Sequence, residues 1–338
     1  MSSEANPETL KVMGNSLLRD ALLEGNMDLA EMALNLGANV EEPMLWGIVD
    51  TPKGPFQRFL HPLVFAVASK KMNPEIVELL ISRKSDVNAY LLGESPPLHR
   101  AAHKGSIEVA RMLIDAGAQV NFQDRAGNTP LSYATFTGDN DMIDLLIKNG
   151  AYVNTTNANG NTPLLTALHK GHFDTAELLI ISGANVNAYG AECETPLLLA
   201  VRGDDFRTTT LLLLKNADPN AENKNKETAL ILAASNENLY IIKEILKKKE
   251  VDVNAQDLLG NTALILAAIN GDPEMCKVLL EAGANQSLSD KSGMSAYRYA
   301  QLSEYKDLLV PLFKQYQLAA LARGLEFGPS TVQKKIAN

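Results

Sequence analysis

The sequence contains few of the residues on which disulfide scaffolds and metal sites depend. Among its 338 residues are two cysteines, one tryptophan and five histidines, and aromatic residues make up 6% of the chain. Cys193 and Cys276 lie in separate parts of the chain without metal-type neighbours. We therefore expect neither a disulfide framework nor a zinc site.

Positive charge and long apolar runs are also scarce. Lys and Arg number 31 against 40 Asp and Glu, a formal net charge of −9, which argues against nucleic acid or an anionic membrane as partner. No apolar run approaches the roughly 18 residues that a membrane span requires. Residues 1–15 are polar and predict no signal peptide, so we expect a cytoplasmic location.

What the sequence does contain is a 33-residue repeat that carries two phrases in fixed phase. The second phrase, Thr-Pro-Leu or a variant, begins eight residues after the end of the first in most copies. Length alone predicts two compact domains of roughly 150 residues, but repetition predicts small units that stack because none buries its apolar face alone. The first phrase, Gly-Ala-x-Val-Asn or a variant, ends at positions 88, 121, 154, 187, 220, 254 and 287.

Within each repeat the residues predict two helices and a tight turn. Thr129 suits a helix N-cap because its hydroxyl accepts from an amide of the first turn, and Pro130 suits the first helical position, which needs no N–H. Residues 142–147 have apolar side chains at helical spacing. Gly150 stands where a helix end requires left-handed backbone, and residues 124–127 have the composition of a projecting tip.

The two phrases resemble the ankyrin repeat, whose signature joins Thr-Pro-Leu-His-x-Ala to a Gly-Ala-x-Val-Asn close. The resemblance covers about residues 14 to 310 and implies an all-α ankyrin-repeat solenoid of stacked helix–turn–helix units with projecting β-hairpin tips. The signature histidine stands only at His99, which argues against a continuous histidine ladder between units. We count nine repeats and expect a flexible N-terminus at 1–13, the array at 14–314, and a C-terminal helix and loose tail at 315–338.

An insertion at 43–60 is the largest departure from the period. It adds 12 residues between the two phrases, and Trp46 and Phe56 lie within it as candidate partner-binding residues. Its aromatic side chains either fold back over the binding face or form an exposed anchor for a partner. We favour folding back, because exposed apolar clusters promote aggregation.

No group of residues in the sequence predicts catalysis. His61, His99 and His172 fall on repeat positions, which favours structural roles for them. Cys193 has no histidine beside it in the sequence to activate a thiolate. The glycine patterns that cradle nucleotide phosphates are absent. We therefore expect a non-enzymatic protein with no catalytic residue, no cofactor and no metal.

The resemblance implies a concave partner surface built from the first helix of each unit and the tips. In such arrays the two residues after the Ala-Ala of the first helix project into this groove. In repeats three to six these residues are mostly basic or aromatic, although the chain as a whole is acidic. Aromatic and arginine side chains are enriched at binding hot spots. Chance accumulation of polar surface residues is the alternative. Arg100 and Tyr133 are added because they stand nearby where other repeats mostly carry an apolar residue. The candidate partner-binding residues are Arg100, His103, Lys104, Tyr133, Phe136, His169, Lys170 and Arg202.

The resemblance implies a protein–protein interaction module that acts as a scaffold, adaptor or masking inhibitor. Its partner is expected to be an acidic and partly apolar peptide or loop. One alternative is a targeting module of a secreted bacterial effector or of a multiprotein complex, acting on a host or partner enzyme. In an intracellular bacterium such a protein would be delivered to the host cytosol. Another alternative, a small enzyme or metabolite binder, would be favoured by an unexplained pocket in the groove.

Overall fold

The computed structural model describes residues 6–51, 54–91 and 94–322, with backbone alone at 48–51, 54–56 and 320–322. The described residues form nine consecutive helix pairs, one short 3-10 turn at Ala191–Cys193 and one two-stranded sheet. The helices are α1 (Pro7–Glu24), α2 (Met27–Asn35), α3 (Pro62–Ala68), α4 (Pro74–Ser82), α5 (Pro97–Lys104), α6 (Ile107–Asp115), α7 (Pro130–Thr137), α8 (Asn140–Lys148), α9 (Pro163–Lys170), α10 (Phe173–Ile181), α11 (Pro196–Arg202), α12 (Phe206–Leu214), α13 (Ala229–Ser235), α14 (Leu239–Ile245), α15 (Ala263–Asn270), α16 (Pro273–Glu281), α17 (Ala296–Leu302) and α18 (Lys306–Ala322).

The chain divides into two compact units, each holding several repeats: unit one is Met1–Ala167 and unit two is Leu168–Asn338. Within unit one, the first helices α1, α3, α5 and α7 pack in sequence, and so do the second helices α2, α4, α6 and α8. Within unit two, α11, α13, α15 and α17 pack in sequence as first helices, and α10, α12 and α14 as second helices. Each unit therefore consists of two helical layers with the apolar core between them, which confirms the predicted helix–turn–helix stacking.

The predicted helix caps are present. The Thr129 hydroxyl accepts from the Ser132 amide at 3.2 Å, and Pro130 follows as the first helical residue. Thr262 caps α15 in the same way through the Ile265 amide at 3.2 Å. These hydroxyls satisfy amides that the first turn of a helix leaves without an intrahelical partner, so the second phrase of the repeat marks the start of each first helix.

The asparagine that closes the first phrase joins one repeat to the next. Asn121 Nδ2 donates to the Gly150 carbonyl at 2.8 Å, and its Oδ1 accepts from the Tyr152 amide at 2.7 Å. Asn187 repeats this arrangement with Asn216 and Asp218 at 3.1 and 2.8 Å. Both ends of the side-chain amide therefore bridge neighbouring repeats, a role that the sequence pattern alone did not indicate.

The insertion forms the sheet. Strand β1 (Met44–Thr51) pairs antiparallel with β2 (Gly54–Leu60), with an irregularity between Leu45 and Gly47 that leaves Trp46 outside the ladder. The half-buried Trp46 ring meets the fully buried ring of Phe65 on α3 edge-on, with centroids 4.6 Å apart. Trp46 thus folds back onto the helices. Phe56 pairs with Val49 in the register, but its side chain lies outside the described residues.

The ends of the array differ from the boundaries expected from the sequence. Helix α1 begins at Pro7, so residues 7–13, expected as part of a flexible N-terminus, are helical. The expected end of the ninth repeat and the expected C-terminal helix form one helix, α18, which continues through Pro311. The expected tail at 323–338 lies outside the described residues. Among the residues that the structure describes, no helix is both long and apolar enough to cross a membrane.

The projecting tips are tight turns; in the described ranges the insertion forms the one strand ladder, and an isolated antiparallel bridge joins Ser289 to Ser295 in the tip before α17. In the tip at 124–128, the Gly127 amide donates to the Asp124 carbonyl at 2.8 Å. One backbone hydrogen bond, from the Ala158 amide to the Ala126 carbonyl at 2.9 Å, joins this tip to the next. The repeat therefore presents ordered turns beside the ends of its first helices.

Candidate partner-binding site

The structure gathers five of the predicted partner-binding residues in unit one. Arg100, His103 and Lys104 lie in the last turn and a half of α5, and Tyr133 and Phe136 lie on the adjacent α7. His103, Lys104 and Phe136 are exposed, whereas Arg100 and Tyr133 are half-buried. The next helix along the chain, α9, ends with His169 and Lys170, and α11 ends with Arg202; all three residues belong to unit two.

A cavity of about 250 Å³ lies at the α5 end of this group. We call it the cationic cavity, because three cations and one carboxylate line it and two positive charges are left in excess. Strand β2, helices α3, α5 and α7 and the loop before α5 form its walls. The lining residues are Arg58, Ala68, Glu94, Ser95, His99, Arg100, His103, Lys104 and Tyr133.

Glu94 ties the inserted hairpin to α5. Its carboxylate accepts from Arg58 Nη2 at 2.6 Å and also from Arg58 Nε and Arg100 Nη2. The Glu94 side chain is 7% exposed, against 37% for Arg58 and 22% for Arg100. Its hydrogen bond raises the pKa of Arg58, whereas burial lowers the pKa of Arg100. Arg100, predicted as a partner contact, is therefore already bound to a carboxylate within the chain.

Lys104 closes another side of the cationic cavity. Its ammonium donates to the Ser69 carbonyl at the end of α3. Burial lowers the pKa of Lys104, and the positive charge of Arg100 lowers it further. An ammonium has three donors, so the contact with Ser69 orients this cation and leaves donors for an incoming acceptor.

Tyr133 and His99, which also line the cavity, are held by residues in and just before the tip at 124–128. The Tyr133 hydroxyl donates to Asp124 Oδ2 at 2.7 Å, and Asp124 Oδ1 accepts from the Asn128 amide at 3.0 Å. His99 Nε2 lies 2.9 Å from the Phe122 carbonyl, to which it must donate. Burial lowers the pKa of His99 from 6.5 to about 4, so its ring is neutral at pH 7.

A second cavity of about 270 Å³ lies beside the first. We call it the aromatic cavity, because the rings of His103, Tyr133 and Phe136 dominate its walls. The first two rings meet edge-on with centroids 5.7 Å apart and belong to both cavities. Phe136 is 47% exposed, a large apolar surface for a side chain outside the core. The lining residues are His103, Asn128, Ser132, Tyr133, Phe136, Asn157 and Thr166.

In unit two the expected basicity is offset by carboxylates. Arg202 Nη1 donates to Glu194 Oε1 at 2.6 Å, and its Nη2 lies 3.7 Å from Glu227 Oε2. The Arg202 side chain remains 44% exposed, but its single charge faces two negative ones. His169 and Lys170 are exposed at the end of α9.

Reasoning from the sequence missed Arg58 and Glu94, the two residues that complete the cationic cavity. Both lie outside the repeat phrases, and the only signal for Arg58 was its place in the insertion. It also missed the spacing of His99 and His103, which lie four residues apart on one helix, as paired metal ligands do. The described residues contain no group of three potential ligands, and the Phe122 carbonyl already engages His99 Nε2.

Comparison with known proteins supports the repeat assignment. A family model described as ankyrin repeats in three copies matches residues 63–157, 98–190, 138–223, 197–290 and 230–315. No curated protein matches the chain. The crystal structure of the human ASB11 ankyrin repeat domain is similar, with a TM-score of 0.53 and 26% sequence identity over 64% of this chain and 97% of that one. Because the family model covers well over half of its residues, the chain belongs to the ankyrin repeat family.

Proposed function

We propose that this protein is a non-enzymatic interaction module that binds an acidic, partly apolar peptide or loop of a partner protein. Ankyrin repeats are in general protein–protein interaction modules. The observation that carries the finer proposal is the adjacency of the cationic and aromatic cavities at the ends of α5 and α7. The module would serve as a scaffold, an adaptor or a masking inhibitor.

The composition of the two cavities supports this choice of partner. Excess positive charge attracts carboxylates, and the half-exposed Phe136 offers apolar area that a partner side chain covers. The surrounding chain carries a net charge of −9, so attraction for acidic peptides is local to this site. Hot spots of this kind need a packed apolar contact beside a polar one.

A selection from displayed random peptides tests the proposal. We expect the full chain to enrich peptides rich in Asp, Glu and aromatic or aliphatic residues. Lys104→Glu and Phe136→Ser should each abolish this enrichment, because they reverse a charge or remove a ring in the cavities. Lys249→Glu, at an exposed position in unit two, is the matched control and should select the same peptides as the wild type. Enrichment of basic peptides, or none at all, would contradict the proposal.

A further inference from the structure

We propose that the two cavities act as paired subsites that read an acidic residue and an aromatic or aliphatic residue two positions apart in an extended partner segment. This inference rests on the proposed function and states its recognition rule. The cationic cavity takes the carboxylate of Asp or Glu. The aromatic cavity takes the apolar side chain, and the residue between the two points away from the protein.

The cationic cavity has more donors than acceptors. Glu94 is the one carboxylate among its lining residues, and it already accepts from both Arg58 and Arg100. Arg100 Nε is buried without a partner, and Lys104 directs one contact to Ser69. Asp124 is not among the lining residues, and its oxygens accept from the hydroxyls of Tyr133 and Ser95 and from the turn. A partner carboxylate would supply the missing acceptor and charge.

The aromatic cavity suits an apolar side chain. Phe136 and Tyr133 supply ring surface, and Thr166 also lines the cavity. The His103 and Phe136 ring centroids lie 6.5 Å apart, and Phe136 is 47% exposed. Covering this ring removes apolar area from water, which favours binding.

The spacing of two follows from the wall that the cavities share. His103 and Tyr133 line both cavities, so the two subsites adjoin and share these two side chains as a common wall. In an extended chain, alternate side chains lie on the same side about 6.6 Å apart. A segment that crosses this wall therefore places residue i in one cavity and residue i+2 in the other, whereas adjacent residues point in opposite directions.

The inserted hairpin makes the rule specific to this chain. Arg58 on β2 lines the cationic cavity, and Glu94 holds it there. A regular repeat with eight residues between its phrases has no room for this hairpin. The acidic preference is thus a property of the insertion acting together with α5.

Labelled seven-residue peptides with capped ends test the rule by fluorescence anisotropy with the full chain. The reference peptide carries Glu-Ser-Phe at its centre, and the comparison peptides carry Gln-Ser-Phe, Glu-Ser-Ser or the adjacent pair Glu-Phe-Ser. We expect the affinity of each comparison peptide to be lower by about tenfold or more, because each loses one subsite. Equal binding of the Glu-Ser-Phe and Glu-Phe-Ser peptides, or no binding of the reference, would overturn the spacing rule.

Two variants assign the subsites. Lys104→Met should remove the preference for Glu over Gln and keep the preference for Phe over Ser, and Phe136→Ala should do the reverse. Lys249→Met is the matched control, and thermal melting confirms that each variant is folded. If displayed peptides enrich acidic and apolar residues without a fixed spacing, the pairing is wrong and the proposed function stands. If no peptide is enriched, the proposed function fails as well.

Discussion

Burial at one histidine couples the stability of unit one to pH. The ring of His99 is 1% exposed and its pKa is lowered to about 4. Between pH 6.5 and 4 the unfolded chain therefore binds more protons at this residue than the folded chain does. Its free energy of unfolding falls as the pH falls through this window, by on the order of 3 kcal/mol in total.

His99→Gln should weaken that dependence, because the amide still donates to the Phe122 carbonyl but does not titrate. We expect urea denaturation of the variant to show a shallower loss of stability between pH 6.5 and 4 than the wild type. His169→Gln, at an exposed position, is the control and should follow the wild-type curve. The same slope in the His99 variant as in the wild type would show that another group carries the effect.

The backbone at residue 84 offers a second prediction for a single residue. Lys84 has φ 66° at the helix end where the next repeat has Gly117 with φ 92°. A side chain costs about 1 kcal/mol in this left-handed region, so Lys84→Gly should raise the free energy of unfolding by about that amount. Gly117→Ala should lower the free energy of unfolding by a similar amount through backbone strain alone, because a Cβ there meets no atom within 4 Å. Guanidinium denaturation measures both, and a destabilised Lys84→Gly would refute the argument.

Residues differ in how far the sequence reveals them. Thr129 and Gly150 were predictable because capping and left-handed backbone depend on local chain geometry, which the repeat shows in many copies. The neutralisation of Arg100 was not, because its partner Glu94 comes from a loop outside the repeated phrases. Arg202 is a similar case, since Glu194 and Glu227 lie in two different tips. Side-chain pairing of this kind depends on tertiary geometry.

Among the elements, the inserted hairpin shows the same contrast. Its existence as an insertion at 43–60 was evident from the period, and folding back of Trp46 was the favoured alternative. The pairing of β1 with β2 was not predicted, because a single short copy carries no periodic signal. Glu94 and Trp46 contact separate parts of the helical layer, α5 through Arg100 and α3 through Phe65. The hairpin is therefore held at two points.

Removing one of these points should loosen the hairpin. Glu94→Gln leaves Arg58 and Arg100 close together without their shared carboxylate. We expect a loss of about 2 kcal/mol in stability, less than for a fully buried pair because both arginines are partly exposed. Hydrogen exchange at backbone amides of residues 54–60 should accelerate. Glu78→Gln, at an exposed position on α4, is the control, and unchanged exchange in the Glu94 variant would show that Trp46 alone holds the hairpin.

For the whole molecule, the net charge and the site have opposite signs. The chain carries −9 while the cationic cavity has an excess of two positive charges. An approaching acidic peptide is repelled at long range and attracted at contact. Salt shortens the range of both interactions, to about 8 Å at physiological ionic strength.

The kinetics of peptide binding should separate these two fields. Raising the salt concentration is expected to increase the association rate constant, because it screens the overall repulsion, and to increase the dissociation rate constant, because it weakens the contact attraction. Surface plasmon resonance with the Glu-Ser-Phe peptide measures both. Lys104→Met should keep the salt dependence of association and lose most of that of dissociation. An association rate constant that falls with increasing salt would show that the net negative charge of the chain does not govern association.

The asparagine bridges have a consequence for how such a chain grows. Each closing asparagine, such as Asn121, offers its amide to backbone groups that every following repeat supplies at the same place. Duplication or loss of a whole repeat therefore leaves no donor or acceptor unmatched at the new junction. The hairpin before α3 is an exception, since it depends on Glu94 in the loop before α5 of the next helix pair. The hairpin and the loop that carries Glu94 must therefore be inherited together.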